Sequence, residues 1–324
     1  MKHKYLIDFD DKSNWIYELN NDSPTGERIE DIRGYIQPDV SGNRFYSMTG
    51  NVWHPLPDFL TPFHMHYRGY ETFFIKSGSL ELHAIGQQCR VGPGSIIHYQ
   101  PYQAHGLRFL EKLEARGFFQ NYDMIDTSEA TALMVEYEPE ARKRLMEERK
   151  LFPQGRDICE CETLEYEKVP VEEMRAVRLP DHPLAKFMLD GITMKMMIPR
   201  WELGGLREIW RFELKEGFHA ETVEFPSIRH LFYMTEGEVA FKIYDDEFIA
   251  KGDCMIDIPK TIKFSITAKT DAAIYDVGGL SCWYTFLHDY MAVKKNSPEK
   301  YNDSNYIAEL KKRNSIQIMS FGHE

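Results

Sequence analysis

Long apolar runs are missing from this chain of 324 residues. Nowhere do about eighteen apolar residues follow one another, the length that a membrane-crossing helix requires. The opening MKHKYLIDFDDKSNW also holds no apolar stretch of signal-peptide length. Cysteine is scarce: Cys89, Cys159, Cys161, Cys254 and Cys282 are too few and too scattered for a disulfide framework. Together these two shortages lead us to expect a reducing cytoplasm. Positive charge is the third. Lys and Arg number 39 against 51 Asp and Glu, for a formal net charge of −12, and no basic stripe forms. Phosphate backbones are held by concentrated positive charge, so nucleic acid is disfavoured as a partner. No helix-turn-helix with basic recognition residues is visible either. Neither a nucleic-acid nor a membrane partner is expected, and a small molecule is.

What the chain does have is strand texture, and it has it twice. From about Tyr35 to Phe119, β-branched and aromatic residues alternate with glycine punctuation, as in ETFFIKSGSLELHAIGQQCRVGPGSIIHYQP, which reads as short antiparallel strands. The texture then changes. DTSEATALMVEYEPEARKRLMEERK has Asp126 placed to cap a helix with Glu129 three residues on, and residues 127–150 read as helical. Strands return at GITMKMMIPRWEL and continue to about Val277. The closing segment reads as mainly helical, broken at Pro298.

The two strand-rich halves superimpose. YETFFIKSGSLELHAI lies over RHLFYMTEGEVAFKIY with Gly78 on Gly237, and GSIIHYQP lies over GDCMIDIP with Gly94 on Gly252 and Pro101 on Pro259. The offset stays at 158–159 residues throughout, so one domain occurs in two copies. This divides the chain into an N-terminal arm (1–34), a first β domain (35–125), a helical connector (126–180), a second β domain (181–280) and a helical tail (281–324).

Within the first copy, TPFHMHYRGYETFFIKSG carries the residues of greatest chemical interest. On a strand His64 and His66 point the same way and Met65 points the other. Glu71 opens the next strand, and His105 follows Pro101 by four residues. Three imidazoles and a carboxylate converging in a small barrel form a mixed nitrogen and oxygen site for a divalent metal. Around them Phe63, Arg68, Phe73, His54, His98 and Tyr102 are candidates to line a substrate pocket, with barrel core or outer sheet as the alternative for each. Phe63, Tyr67, Tyr70, Phe73, Tyr99, Tyr102 and Phe109 make this neighbourhood rich in aromatic rings. His3, His83, His182, His288 and His323 read as ordinary surface or hydrogen-bonded histidines. The CEC at Cys159–Cys161 reads as a strand or loop accident.

These residues resemble the cupin superfamily. Its first motif runs His-x-His, glutamate, glycine, matched by His64, His66, Glu71 and Gly78. Its second ends in proline and then histidine, matched by Gly94, Pro101 and His105. The resemblance implies a mainly β chain of two double-stranded β-helix (cupin, or jelly-roll) barrels with a helical connector and helical tail, a bicupin. It also implies that His64, His66, Glu71 and His105 are the ligands of one metal per chain, iron first, with Mn, Zn or Ni as alternatives. Glu71 is also a candidate catalytic base. The second copy departs from the motif, with His230 at the glutamate position and Lys263 at the final histidine position. It is expected to be metal-free, and a rebuilt site from His219, Glu221 and His230 is the minor alternative. The activity expected first is a non-haem Fe(II) dioxygenation of an aromatic or compact hydroxylated substrate. Lewis-acid isomerase, lyase or decarboxylase chemistry on a small oxo or hydroxy acid, or on a sugar derivative, is the alternative. A non-catalytic ligand-binding cupin is the third reading, and a homodimer is the expected assembly.

Overall fold

A computed structural model describes residues 3–14, 17–22, 28–36, 48–55, 64–66, 69–120, 158–160, 166–205, 207–222, 230–259, 262–278, 283–314 and 318–323. The chain divides into two compact units, residues 12–182, and residues 1–11 with 183–324. Its first strand, β1 (Leu6–Asp8), therefore belongs with the C-terminal unit.

The N-terminal unit holds β2 (Tyr17–Asp22), β3 (Arg28–Ile36), β4 (Met48–Pro55), β5 (His64–His66), β6 (Tyr70–Ser77), β7 (Leu80–Ala84), β8 (Gln87–Val91), β9 (Ile96–Tyr99), β10 (His105–Phe109) and β11 (Glu114–Gln120). Three further strands follow much later in the chain, β12 (Ile158–Glu160), β13 (Glu167–Lys168) and β14 (Val177–Arg178). They form two sheets, ordered β14-β9-β6-β11-β4-β3-β2 and β12-β5-β10-β7-β8-β13. Alternation decides the core. Trp53, Phe73, Ile75, Ile97, Tyr99 and Ala115 from the first sheet meet Leu80, Leu82, Ala84, Val91, Leu107 and Phe109 from the second in one buried cluster.

The C-terminal unit holds β15 (Ala185–Leu189), β16 (Ile192–Ile198), β17 (Ile209–Leu214), β18 (Phe218–Thr222), β19 (His230–Glu236), β20 (Glu238–Ile243), β21 (Asp246–Lys251), β22 (Cys254–Ile258), β23 (Phe264–Ala268) and β24 (Ala272–Asp276). Helices α1 (Trp283–Asn296), α2 (Pro298–Tyr301) and α3 (Ser304–Arg313) and strand β25 (Ile318–His323) complete it. Its sheets run β1-β22-β19-β24-β17-β16-β15 and β21-β20-β23-β18-β25. The first order matches that of the N-terminal unit strand for strand. β1 occupies the place that β14 holds in the other barrel, and β25 flanks β18 as β12 flanks β5. The helices dock by Trp283, Phe286 and Leu287, spaced three and four apart on one face of α1, and by Leu310 of α3. Asp303 caps α3 by accepting from the backbone N–H of Asn305 and Tyr306.

Two of the boundaries drawn from sequence differ from these. Residues 1–34 are not a separate arm, since β1 enters the C-terminal sheet while β2 and β3 lie on the edge of an N-terminal one. Residues 158–178 are not a helical connector but supply three strands of the N-terminal barrel. The helical reading of 127–150 lies outside the described residues. The tail is helical to Arg313 and then ends in a strand, and Pro298 breaks the helix by starting the next one. No helix among the described residues is long and apolar enough to cross a membrane.

The repeat has a physical anchor. Gly78 and Gly237 sit at φ +78° and +77°, and a Cβ at either would lie 2.3 Å from a backbone carbonyl, Lys112 O or Asp271 O. Neither torsion nor space admits a side chain. Gly86 has a similar φ of +73° but open space around it. Gly86→Ala should therefore cost about 1 kcal/mol from torsion alone, and Gly78→Ala about 2–3 kcal/mol, because backbone must also move. Denaturant midpoints of the two variants check the difference.

Candidate metal centre

The N-terminal barrel brings together three of the four residues expected from sequence. His66 ends β5, Glu71 lies one residue into β6, and His105 begins β10. All three are buried, at 1 %, 6 % and 1 % exposure. Glu71 lies between the imidazoles, its Oε1 3.2 Å from His66 Nε2 and its Oε2 3.3 Å from His105 Nε2. The two imidazole rings are 5.4 Å apart at 29°. The ligating atoms all fall within 4.8 Å of one another. His64 stands directly opposite His105 in the β5–β10 register. Its side chain lies outside the described residues, as do Phe63 and Arg68.

The surroundings orient these groups. His105 Nδ1 is 2.8 Å from the Gln103 carbonyl. A carbonyl only accepts, so Nδ1 carries the proton and Nε2 turns its lone pair toward Glu71. Burial works against charge on Glu71, yet the charge of His66 and the closeness of both imidazoles outweigh it. The carboxyl is held well below the usual carboxylate range. The loop leading to His105 is tied down at Tyr102, whose N–H donates to the His66 carbonyl at 2.7 Å. Tyr102 adopts a left-handed φ of +64° to do so.

The pocket candidates separate by strand phase. Phe73 shares the inner face with Glu71 and packs against Trp53 at 5.1 Å. His54 does not; it shares the outer face with Val52, and its nearest charged partner is Glu114 at 3.9 Å. His98 also faces away from the core, with Nδ1 3.0 Å from Thr72 Oγ1 and 3.1 Å from the Glu71 carbonyl. It braces the backbone at Glu71 instead of lining the cavity. The Tyr102 side chain is 66 % exposed.

Tyr99 is the residue that sequence reasoning left among the core aromatics. It stands opposite Glu71 in the β6–β9 register, and its ring lies flat on that of His105 at 3.7 Å and 9°. Its hydroxyl is buried and has no hydrogen-bond partner among the described residues. An unpartnered buried hydroxyl costs about 1–3 kcal/mol. Burial, then the nearby Glu71 charge and Cys89, push its pKa well above the ordinary tyrosine value, so it remains a donor.

No protein-family model matches the sequence, and no curated protein matches it. Solved structures do. An oxalate decarboxylase from Lactobacillus farciminis, solved as a formate complex, aligns over 93 % of this chain and 96 % of its own, with a TM-score of 0.51 at 12 % identity. Procruciferin, an 11S globulin from Brassica napus, aligns over 86 % of each chain with a TM-score of 0.51 at 8 % identity. A second oxalate decarboxylase structure covers 96 % of this chain and 87 % of its own, with a TM-score of 0.50 at 13 % identity. The fold is that of a bicupin.

The two barrels can be compared position by position. Glu71 pairs with Tyr99 and His230 with Ile258, so His230 and Ile258 replace the carboxylate and the tyrosine. His105 pairs with Ala84 and Phe264 with Ile243. The counterpart of His105 is therefore Phe264, not Lys263 as the proline alignment suggested; one residue of the loop shifts the register. Nor does the structure bring His219, Glu221 and His230 together. His219 Nδ1 meets Thr267 Oγ1 at 2.9 Å on the outer face, with Glu221 beside it in solvent. His230 instead faces inward onto Asp276 at 3.3 Å, against Phe232 and Phe264. Among the described residues, the only His, Cys, Asp and Glu cluster of ligating geometry is the N-terminal one.

Proposed function

We propose that the N-terminal barrel is the active site of a divalent-metal enzyme that acts on a small oxo or hydroxy carboxylic acid by Lewis-acid chemistry, decarboxylation first. The observation that carries this reading is the His66–Glu71–His105 set. Nitrogen and oxygen ligands about 2.0–2.2 Å from one ion stand about 3 Å apart, and the imidazole–carboxylate separations are 3.2 and 3.3 Å. The donor set suits Mn, Fe, Ni or Zn. His66, Glu71 and His105 would hold the ion, with His64 a fourth ligand by its place in the motif. Bound there, the metal would polarise a carboxylate or carbonyl oxygen and stabilise the charge that develops on it.

The rest follows from the chain. His98 and Gln103 hold the ligand backbone and tautomer, so that the donors need little reorganisation. Trp53, Phe73, Tyr99 and Phe109 exclude water and lower the local dielectric, which strengthens every charge interaction inside. The near-complete burial of the three ligating side chains suits a compact substrate. Two solved structures of the same fold are oxalate decarboxylases, which supports carboxylate chemistry. The Fe(II) dioxygenation expected first from sequence has no such support.

Protein purified without chelators should carry one metal per chain by elemental analysis. Supplied with oxalate and related small oxo and hydroxy acids, it should release CO2 without stoichiometric O2 uptake. One O2 consumed per substrate would return the oxygenase reading, and a metal-free preparation that cannot be loaded would leave a binding cupin.

A further inference from the structure

The unpartnered hydroxyl of Tyr99 has a use only if something is delivered to it. Phenylalanine would make the same stack on His105 and fill the same core without an idle polar atom. The second barrel acts as an internal control. At the same register position it carries Ile258, 1 % exposed and packed in its own core. The scaffold therefore does not require a hydroxyl here. A polar atom stands at this position only in the barrel that also holds Glu71 and His105, and the oxygen is carried on the ring that lies 3.7 Å from the His105 ring. Tyr99 also stands directly opposite Glu71 across β6 and β9. Stacking fixes the ring plane, so the O–H is held in place before any ligand arrives.

We propose that Tyr99 is a substrate-binding residue whose O–H donates to a carboxylate oxygen of the acid held at the His66–Glu71–His105 centre. This rests on the metal-centre reading above and adds to it the group that selects an anionic oxygen. A neutral O–H paired with a carboxylate is a charge-assisted bond, among the stronger kinds available to the site. A buried donor that has no partner of its own discriminates sharply, because a ligand without an acceptor leaves it unsatisfied.

The test is Tyr99→Phe in the full chain, loaded with Mn(II) and titrated with oxalate by calorimetry, beside the wild type. The variant should keep its metal, since the ring and its stack remain, and should bind oxalate about 10- to 100-fold more weakly. Its metal-free form should unfold at the same temperature as wild type or higher, because removing an unpartnered polar atom relieves the core. Oxalate affinity within about twofold of wild type, at equal metal content, would overturn the proposal alone. So would wild-type protein that holds metal but binds no oxalate. A lower melting temperature in metal-free Tyr99→Phe would assign the hydroxyl to the folding of the core and overturn it as well. A wild type that takes up no metal would sink the centre and this proposal together.

Discussion

His105→Ala should abolish stoichiometric metal while the protein stays folded. His105 supplies one of three described ligating atoms, all drawn from different strands, so its loss leaves a gap that no other described ligand fills. Changes to groups that merely orient ligands typically cost 10- to 100-fold in metal affinity, and removal of a ligand itself should exceed about 100-fold. Elemental analysis after dialysis reads this directly. His66→Ala should behave alike, and His64→Ala tests the fourth ligand that the motif implies. Glu71→Gln is the more informative partner. It keeps the shape but removes the charge that the site is built to hold, and metal should again be lost. The carboxyl is held well below the usual range by His66 and His105 against the opposing effect of burial. Mild acid should therefore leave Glu71 ionised. If His66→Ala, His105→Ala or Glu71→Gln kept one metal per chain, the centre would lie elsewhere.

How much of this was legible in the sequence depends on how local the cause was. The duplication was legible because its anchors are steric: Gly78 and Gly237 each face a backbone carbonyl. Ile85 and Tyr244 likewise share a φ of +54° in corresponding hairpins. His66 and Glu71 were legible because strand alternation sets their phase within a few residues. The origin of an edge strand was not. β1 and β14 fill the same place in the two barrels but come from opposite sides of them in the chain. Period-two patterning says that a segment is a strand and nothing about which sheet accepts it. His98 was ambiguous because β9 is buried on both faces, which erases the alternation that would have oriented it. Tyr99 was read as core because its ring is core; only its hydroxyl is not. The missing signal was its register opposite Glu71. Lys263 was placed wrongly because a proline aligns the loop and not the strand behind it.

Asp276→Ala should be the most destabilising single substitution in the C-terminal barrel. Asp276 is 2 % exposed and shares the interior with His230, at 2 %, and Arg207, at 5 %. Burial pushes the Arg207 guanidinium down to about 9, and the charge of Asp276 opposes that push. Arg207 Nη1 donates to the Val277 carbonyl, and His230 Nδ1 lies 3.3 Å from Asp276 Oδ2. Removing the carboxylate takes away the buried partner of His230 and a charge that favours the Arg207 cation, a change that should cost about 2–3 kcal/mol. Replacing both ends is a different matter. Asp276→Leu with Arg207→Met removes both charges, so the part of the loss that comes from their attraction should be recovered. The double-mutant cycle should then show a coupling of about 2–3 kcal/mol. Chemical denaturation of the four proteins measures it. Metal content per folded chain should be unchanged in all of them, because the duplication has turned the second barrel's ligand positions to a different use. His230 stands where Glu71 does, and it faces a carboxylate from β24 and the Phe264 ring instead of two imidazoles. A buried His230–Asp276 contact stands where the N-terminal barrel has its ligand cluster, and an Asp276→Ala variant as stable as wild type would show that this contact contributes nothing to the fold.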